Sequence, residues 1–411
     1  MRPGITQVRI AFSALRTLIH GNEEQLSELF ESLLPSSFPI SAVNNLPWHT
    51  LRDNGSNAES FLDAEETWND WMRDAVTAIK KAYLDEAETR HGLIRDGKPS
   101  LAAFDDLLNA DRKFQETLVG TIVGNTGISP RAVNVCNLAY RSNGKEERNV
   151  HLTLDSVVLS GGRQKSEYRR DGEREFALRA MSPHSGKIAV RYLALCRRAI
   201  VEIMKENNWY TDSISAYETR VFAKPTFRKG ANGNWDVSEI TASWHSCSES
   251  ILGARLSLVD MRQITTGIFR EHFPDLLQAQ SSSKKTTIDG QGDHGPDVNK
   301  NNYGLNAQLF NGHSAPDTHD FIQASRIYQA MMQTVPLDVH WPSYVLSSPL
   351  FNSTKDEALA LDVAHHLIKT YYSLGQMQPE ALPNQLQMLY DAFPFLFVTE
   401  VSCPPKCRLS F

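Results

Sequence analysis

Between Arg163 and Arg198 the chain carries ten Lys and Arg residues (Arg163, Lys165, Arg169, Arg170, Arg174, Arg179, Lys187, Arg191, Arg197, Arg198) against four acids (Glu167, Asp171, Glu173, Glu175). That is a net +6 over 36 residues in a protein whose total is −6. Charge clustered in this way faces either phosphate or open solvent. Arg131 follows a glycine-containing turn, Lys165 lies in the bend after a predicted hairpin, and Arg262 falls in a helix among Leu256, Leu258, Met261 and Ile264. An arginine on an otherwise apolar helix has to be paired or to face a pocket. Guanidinium groups keep their charge and present a planar fork of donors, the geometry that suits the nonbridging oxygens of a phosphate. Further along, a polar stretch from Gln291 to Asp297 contains His294, and Tyr303 follows nine residues later. A second pair is His313, in Gly312-His313-Ser314, and Tyr328, fifteen residues beyond. Taken singly, each arginine also fits a salt bridge, each histidine a loop and each tyrosine a core.

These residues need elements to hold them. Apolar residues recur at three- and four-residue intervals from Ile10 to Leu34 and from Phe61 to Leu84, predicting two helices, with a loop at 53–57 and a boundary in the Gly/Pro-containing stretch His91 to Ser100. A helix over about 101–123 leads into the Gly124-Asn125-Thr126-Gly127 turn, and a second helical stretch is expected from Pro130 to Tyr140. Val150, Leu152 and Leu154 alternate with polar residues, Val157 to Leu159 returns toward Gly161-Gly162, and Phe176 to Met181 supplies a third strand, predicting a small antiparallel sheet. Helical spacing resumes from Pro183 to about Asn207, from Leu256 to Phe273, from Thr318 to Gln333 and from Lys355 to Leu374. The stretch 211–253 carries mixed signals, and 281–302 reads as a loop.

The 411 residues, 41% hydrophobic and 22% charged, are enough for two or three domains with cores of their own, which excludes a disulfide scaffold or a chain disordered throughout. No stretch has the roughly 18 apolar residues of a membrane span. Arg2, Arg9 and Arg16 are spread through the first twenty residues, so no leader is expected. Five cysteines, few and odd in number, fit a soluble protein in a reducing compartment. Cys403 and Cys407, separated by Pro404, Pro405 and Lys406 with no adjacent histidine, do not suggest a metal site. The acidic balance argues against a surface that binds nucleic acid all over and leaves room for a local basic cleft.

In order, the arginine, the hairpin lysine, the helical arginine, the late histidine and the tyrosine nine residues later resemble the catalytic set of tyrosine recombinases. The passages that carry the likeness are Gly127 to Val135, Arg148 to Leu152, Gln164-Lys165-Ser166, Leu256 to Ile264 and Gln291 to Gly304. They are more closely similar to the recombinase-like regions of fungal Crypton-type elements and of proteins linked to telomeric RecQ-like helicases.

The resemblance spans residues 113–333. It implies a mainly α fold with a small antiparallel sheet, in which a helical core-binding-like domain (1–110) precedes a tyrosine-recombinase-like catalytic domain (111–335) and a helical C-terminal extension (336–411). By position, Arg131 and Arg262 are the family's two arginines, Lys165 the general acid at the leaving 5′ oxygen, His294 the late histidine and Tyr303 the nucleophile that forms a 3′-phosphotyrosine link. Tyr328 is the rival nucleophile. Arg163, Arg169, Arg170, Arg174 and Arg179 would contact DNA.

A covalent phosphotyrosine stores the energy of the broken bond, so the resemblance implies neither metal nor ATP nor any other cofactor. It implies double-stranded DNA and further copies of the chain on that DNA as partners, no membrane or nucleotide, and a nuclear location. No glycine-rich phosphate loop ending in Gly-Lys-Ser/Thr occurs, so the chain carries no helicase motor. Four positions depart from the family pattern. Asn134 stands where an acid usually follows the first arginine, Val259 where a histidine or lysine precedes the second, Gln263 where a histidine often follows it, and Asp293 where a glycine usually precedes the late histidine. They keep open a second expectation, a recombinase fold that binds DNA or protein without cleaving.

Overall fold

The computed structural model describes residues 10–38, 60, 62, 66–143, 147–152, 157–161, 177–228, 230–272 and 315–334. Within them the fold is mainly helical with small antiparallel sheets. Its centre is helix α3. In chain order the elements before it are α1 (Phe12–Leu33), α2 (Glu66–Tyr83), β1 (Ile94–Arg95) and β2 (Lys98–Pro99), and α3 runs over Leu101–Asn125.

Ser100 starts α3 by accepting the Ala103 N–H at 3.3 Å. Every position from Thr117 to Asn125 is buried, as befits a helix end that is apolar or small all round. Helix α1 lies along α3, and so does α8 (Val237–Leu252). The close approach depends on Gly120, where a Cβ would stand 3.0 Å from both Asn22 Oδ1 and Cys247 Sγ.

The Gly/Pro stretch 91–100 is the β1–β2 hairpin. Asp96 and Gly97 both take positive φ (52° and 72°), the conformation that Asp-Gly supplies at a two-residue turn. Position 110, the expected end of a first domain, falls in the middle of α3, and one hydrophobic cluster includes residues on both sides of it, from Leu15 to Tyr328. The expected C-terminal extension lies outside the described residues.

After α3 come α4 (Ala132–Cys136), β3 (Val150–Leu152), β4 (Val157–Gly161) and β5 (Ala177–Ala180). The three strands form one antiparallel sheet in the order β3-β4-β5, with Val150 opposite Leu159 and Ser160 opposite Leu178. Helix α4 is much shorter than the expected Pro130–Tyr140, because Ala139 leaves it to bridge Arg220. Then follow α5 (Pro183–Arg191), a π-helical turn (Tyr192–Cys196), α6 (Arg197–Asn207), α7 (Ile214–Thr219), α8, α9 (Leu258–His272) and α10 (Ala315–Met331).

Glu23 of α1 fixes the start of α5. It accepts from the Ser185 hydroxyl at 2.7 Å, from the Ser182 hydroxyl and from the Asn125 amide at 2.9 Å, a carboxylate at a helix N-terminus. Among the described residues no helix is long and apolar enough to cross a membrane.

Candidate functional site

The turn after α3 is held by side chains from β5, α9 and α10. Helix α10 seals the end of α3: the Ser325 hydroxyl donates to the Thr126 carbonyl (2.9 Å) and the Gln329 amide to the Asn125 carbonyl (3.1 Å). Gln329 also donates to the Ala180 carbonyl at 2.8 Å, and Ser325 accepts the Ala180 N–H at 3.0 Å, so the same helix ties down β5. Released from the helix, the chain passes Gly127 at φ 95°, a conformation that favours glycine, and reaches Arg131, the N-cap of α4.

Two arginines from distant elements grip this loop. Arg262 of α9 donates its Nε–H to the Ser129 carbonyl at 3.1 Å across 133 positions of sequence. Arg179 of β5 donates its Nε–H to the Ile128 carbonyl at 2.9 Å. Helix α9 is set by reciprocal bonds at its start: the Ser257 hydroxyl donates to Asp260 at 2.7 Å, and the Asp260 N–H donates to Ser257 at 3.0 Å. Thr265, one turn past Arg262 minus a residue, faces the same loop, accepting the Ser129 N–H at 3.5 Å. Arg262 thus holds the loop carbonyl two residues before Arg131, and both arginines are half-buried with part of their surface open to solvent.

Arg179 is different. It is 2% exposed, so it does not belong to a solvent-facing strip as its position among basic residues predicted. Its place on β5 turns it toward the loop, where it braces the backbone. Arg197 leaves the strip for the same reason, being fully buried. A charge count along the sequence sums over both faces of a strand or helix, whereas burial separates them. Lys187 is exposed, and Arg191 and Arg198 are half-buried. Arg163, Lys165, Arg169, Arg170 and Arg174 lie outside the described residues, as do His294, Tyr303 and His313.

The end of β4 packs against α4. A Cβ on Gly161, the last residue of β4, would stand 2.9 Å from Asn134 Nδ2 and 3.5 Å from an Arg179 terminal nitrogen. Asn134, where an acid was expected, is thus a packing partner of the sheet end; a neutral amide can lie against a backbone there without the cost of burying a charge. Val259, one position into α9, is 57% exposed and offers no donor.

Tyr328 sits in α10, completely buried and stacked on Phe269 of α9 with ring centroids 6.1 Å apart. Burial pushes its phenol pKa up, holding the hydroxyl neutral. Its surroundings are those of a core residue. Cys136, Cys196 and Cys247 are free and buried, and burial raises each thiol, that of Cys247 to about 12. Among the described residues no group of three or more His, Cys, Asp or Glu side chains could hold a metal ion.

Sequence reasoning singled out Arg131 and Arg262 but not the residues that tie α9 to the loop. Ser129 and Thr265 carry no signal in a linear reading, since a backbone carbonyl acceptor looks the same at every position. No protein family, curated protein or solved structure compared with this chain matches it.

Proposed function

We propose that the chain binds duplex DNA at the Arg131–Arg262 loop and exchanges strands there by transesterification, in the manner of a tyrosine recombinase. The observation that carries the reading is the hydrogen bond from Arg262 to the Ser129 carbonyl, which brings two half-open guanidinium-bearing residues to one loop from 131 positions apart. In this reading the two guanidinium groups would meet a phosphodiester whose nonbridging oxygens gain charge as phosphorus becomes five-coordinate.

In this reading the Tyr303 oxygen attacks phosphorus, its proton passes to His294, the bond to the 5′ oxygen breaks, and Lys165 protonates that oxygen. The reverse sequence with a new 5′ hydroxyl rejoins the strands, and no oxidant or nucleotide is consumed. The close packing of Gly161 on Asn134 supports it, because the last residue of β4, four positions before Lys165 in the sequence, then lies against the helix that Arg131 caps. The buried position of Tyr328 supports Tyr303 as the nucleophile.

A second reading, a DNA-binding module that does not cleave, is favoured by Val259, exposed and apolar where a donor would stand. A nicked suicide duplex separates the two. The expected result is a covalent protein–DNA adduct that is lost in Tyr303→Phe and in Arg131→Ala. An adduct that survives Tyr303→Phe and vanishes in a folded Tyr328→Phe would overturn the nucleophile assignment. Salt-dependent binding with no adduct from the wild-type chain would leave the non-cleaving module, and no binding at all would end both readings.

A further inference from the structure

The most exposed large apolar side chain among the described residues is Phe227, 81% accessible at the tip of the loop between Ala223 and Asn234. A phenyl ring left in water gains by being covered, and this one stands on a hydrogen-bonded loop. The loop is closed at its base by the Ala223–Asn234 bridge and the Lys224 N–H donating to the Gly233 carbonyl at 2.8 Å. Inside it the Thr226 N–H donates to the Ser213 hydroxyl (2.8 Å), and the Arg228 N–H to the Thr226 hydroxyl (3.2 Å).

The ring itself rests edge-on against Tyr210, centroids 4.9 Å apart. Tyr210 is held at a left-handed φ of 49°, unusual for a tyrosine, by stacking on Phe104 and by donating its hydroxyl to Asp105. Strained backbone thus supports the exposed ring. Beside it stands Arg228, exposed and forming no ion pair among the described residues, and Lys229 follows in the sequence. The loop runs directly into α8, against which α4, the helix capped by Arg131, is packed.

We propose that the Phe227 loop is a second DNA contact, in which the phenyl ring wedges against a base step of the duplex while Arg228 holds a flanking phosphate. The inference rests on the reading of the chain as a DNA-binding protein. An exposed apolar ring followed in the chain by an exposed arginine suits a nucleic-acid surface, where a π-face lies between lines of phosphates. A protein-binding or membrane-inserting patch would need more apolar neighbours than this single ring.

The test uses the full chain and a short duplex with 2-aminopurine at central steps. Wild-type binding should raise the 2-aminopurine fluorescence through unstacking. Phe227→Ala should abolish that rise and weaken binding roughly 5- to 100-fold, the factor associated with one base–aromatic stack. Phe227→Trp should restore both, and Arg228→Gln should lower the slope of log K against log salt by about one. Wild-type affinity and fluorescence in Phe227→Ala, with DNA binding otherwise intact, would overturn the wedge and leave the Arg131–Arg262 reading standing. A wild-type chain that binds no duplex would sink both. Loss of binding to anionic vesicles in Phe227→Ala, with no effect on DNA, would assign the loop to a membrane surface instead.

Discussion

Two arginine sites in this protein are built on opposite principles. Arg197, at the end of the π-helical turn, is completely buried. Its Nε donates to the Tyr192 hydroxyl (3.0 Å), and its terminal nitrogens donate to the carbonyls of Arg220 (3.2 Å) and Val221 (3.1 Å) and to Tyr192. Asp111 lies 4.0 Å away, itself fully buried and accepting from Tyr192 (2.6 Å) and Gln115 (2.6 Å). The ring faces of Tyr217 and Tyr192 sit 4.7 and 5.0 Å from the guanidinium. At the loop after α3, by contrast, Arg262 is fixed through Nε to one carbonyl and keeps part of its surface in water. A buried arginine surrounded by acceptors is part of the core; one that ties down a loop carbonyl while keeping part of its surface in water can still be reached from outside.

The largest test of that contrast removes the closed guanidinium. Arg197→Met strands the Asp111 carboxylate, whose pKa burial already raises, and is expected to cost about 3–5 kcal/mol in a denaturant titration. Pairing it with Asp111→Leu should recover much of the loss, since the pair replaced together leaves no lone charge. A loss below 1 kcal/mol in Arg197→Met would mean that Arg197 is not the core element described.

Glu88 extends the closed kind to an acid. It is 5% exposed and accepts from the Ser36 N–H (2.9 Å) and hydroxyl (2.7 Å), the Ser37 N–H (3.2 Å) and the Arg90 N–H (2.9 Å). Burial raises its pKa, but the hydrogen bonds outweigh burial and bring it down to about 2. Because the folded value lies below the unfolded one, its contribution is present above about pH 4.5 and is lost as pH falls toward 2. The shift corresponds to at most about 3 kcal/mol. Glu88→Gln should lower Tm at pH 7 and flatten the decline of Tm between pH 5 and pH 2.5; an unchanged decline would remove Glu88 from this class.

The smallest stability effect belongs to the open site. Arg262→Ala deletes the hydrogen bond to the Ser129 carbonyl and should cost about 1–2 kcal/mol of folding free energy, while DNA binding is expected to fall far more than stability does. If the two losses are equal in size, Arg262 is a brace like Arg197 and the contrast breaks.

Much of the fold was legible from periodicity. The first helix, the α3 helix and the three strands of the sheet fall where apolar spacing puts them, because a half-buried element must repeat its apolar residues at its own geometric period. Two elements were written in local signals that periodicity misses. Asp96-Gly97 specifies the β1–β2 hairpin. Asp236 and Glu239 form the capping box that starts α8, which Gly253 ends in a left-handed conformation, inside the stretch 211–253 whose signals looked mixed. The short α4 was not legible, since the competing bridge of Ala139 to Arg220 lies 81 positions away.

By itself the sequence determined the helical class, the small sheet and the arginines worth watching, since residue type and spacing act over a few positions. Only the tertiary structure decided which arginines are open and which are closed. The hydrogen-bond acceptors lie 23 positions away for Arg197, 51 for Arg179 and 133 for Arg262, and a guanidinium beside a carbonyl of a remote turn has no local signature. Arg179 and Arg262 are indistinguishable as letters; the fold braces a backbone with the first and leaves the second half in water.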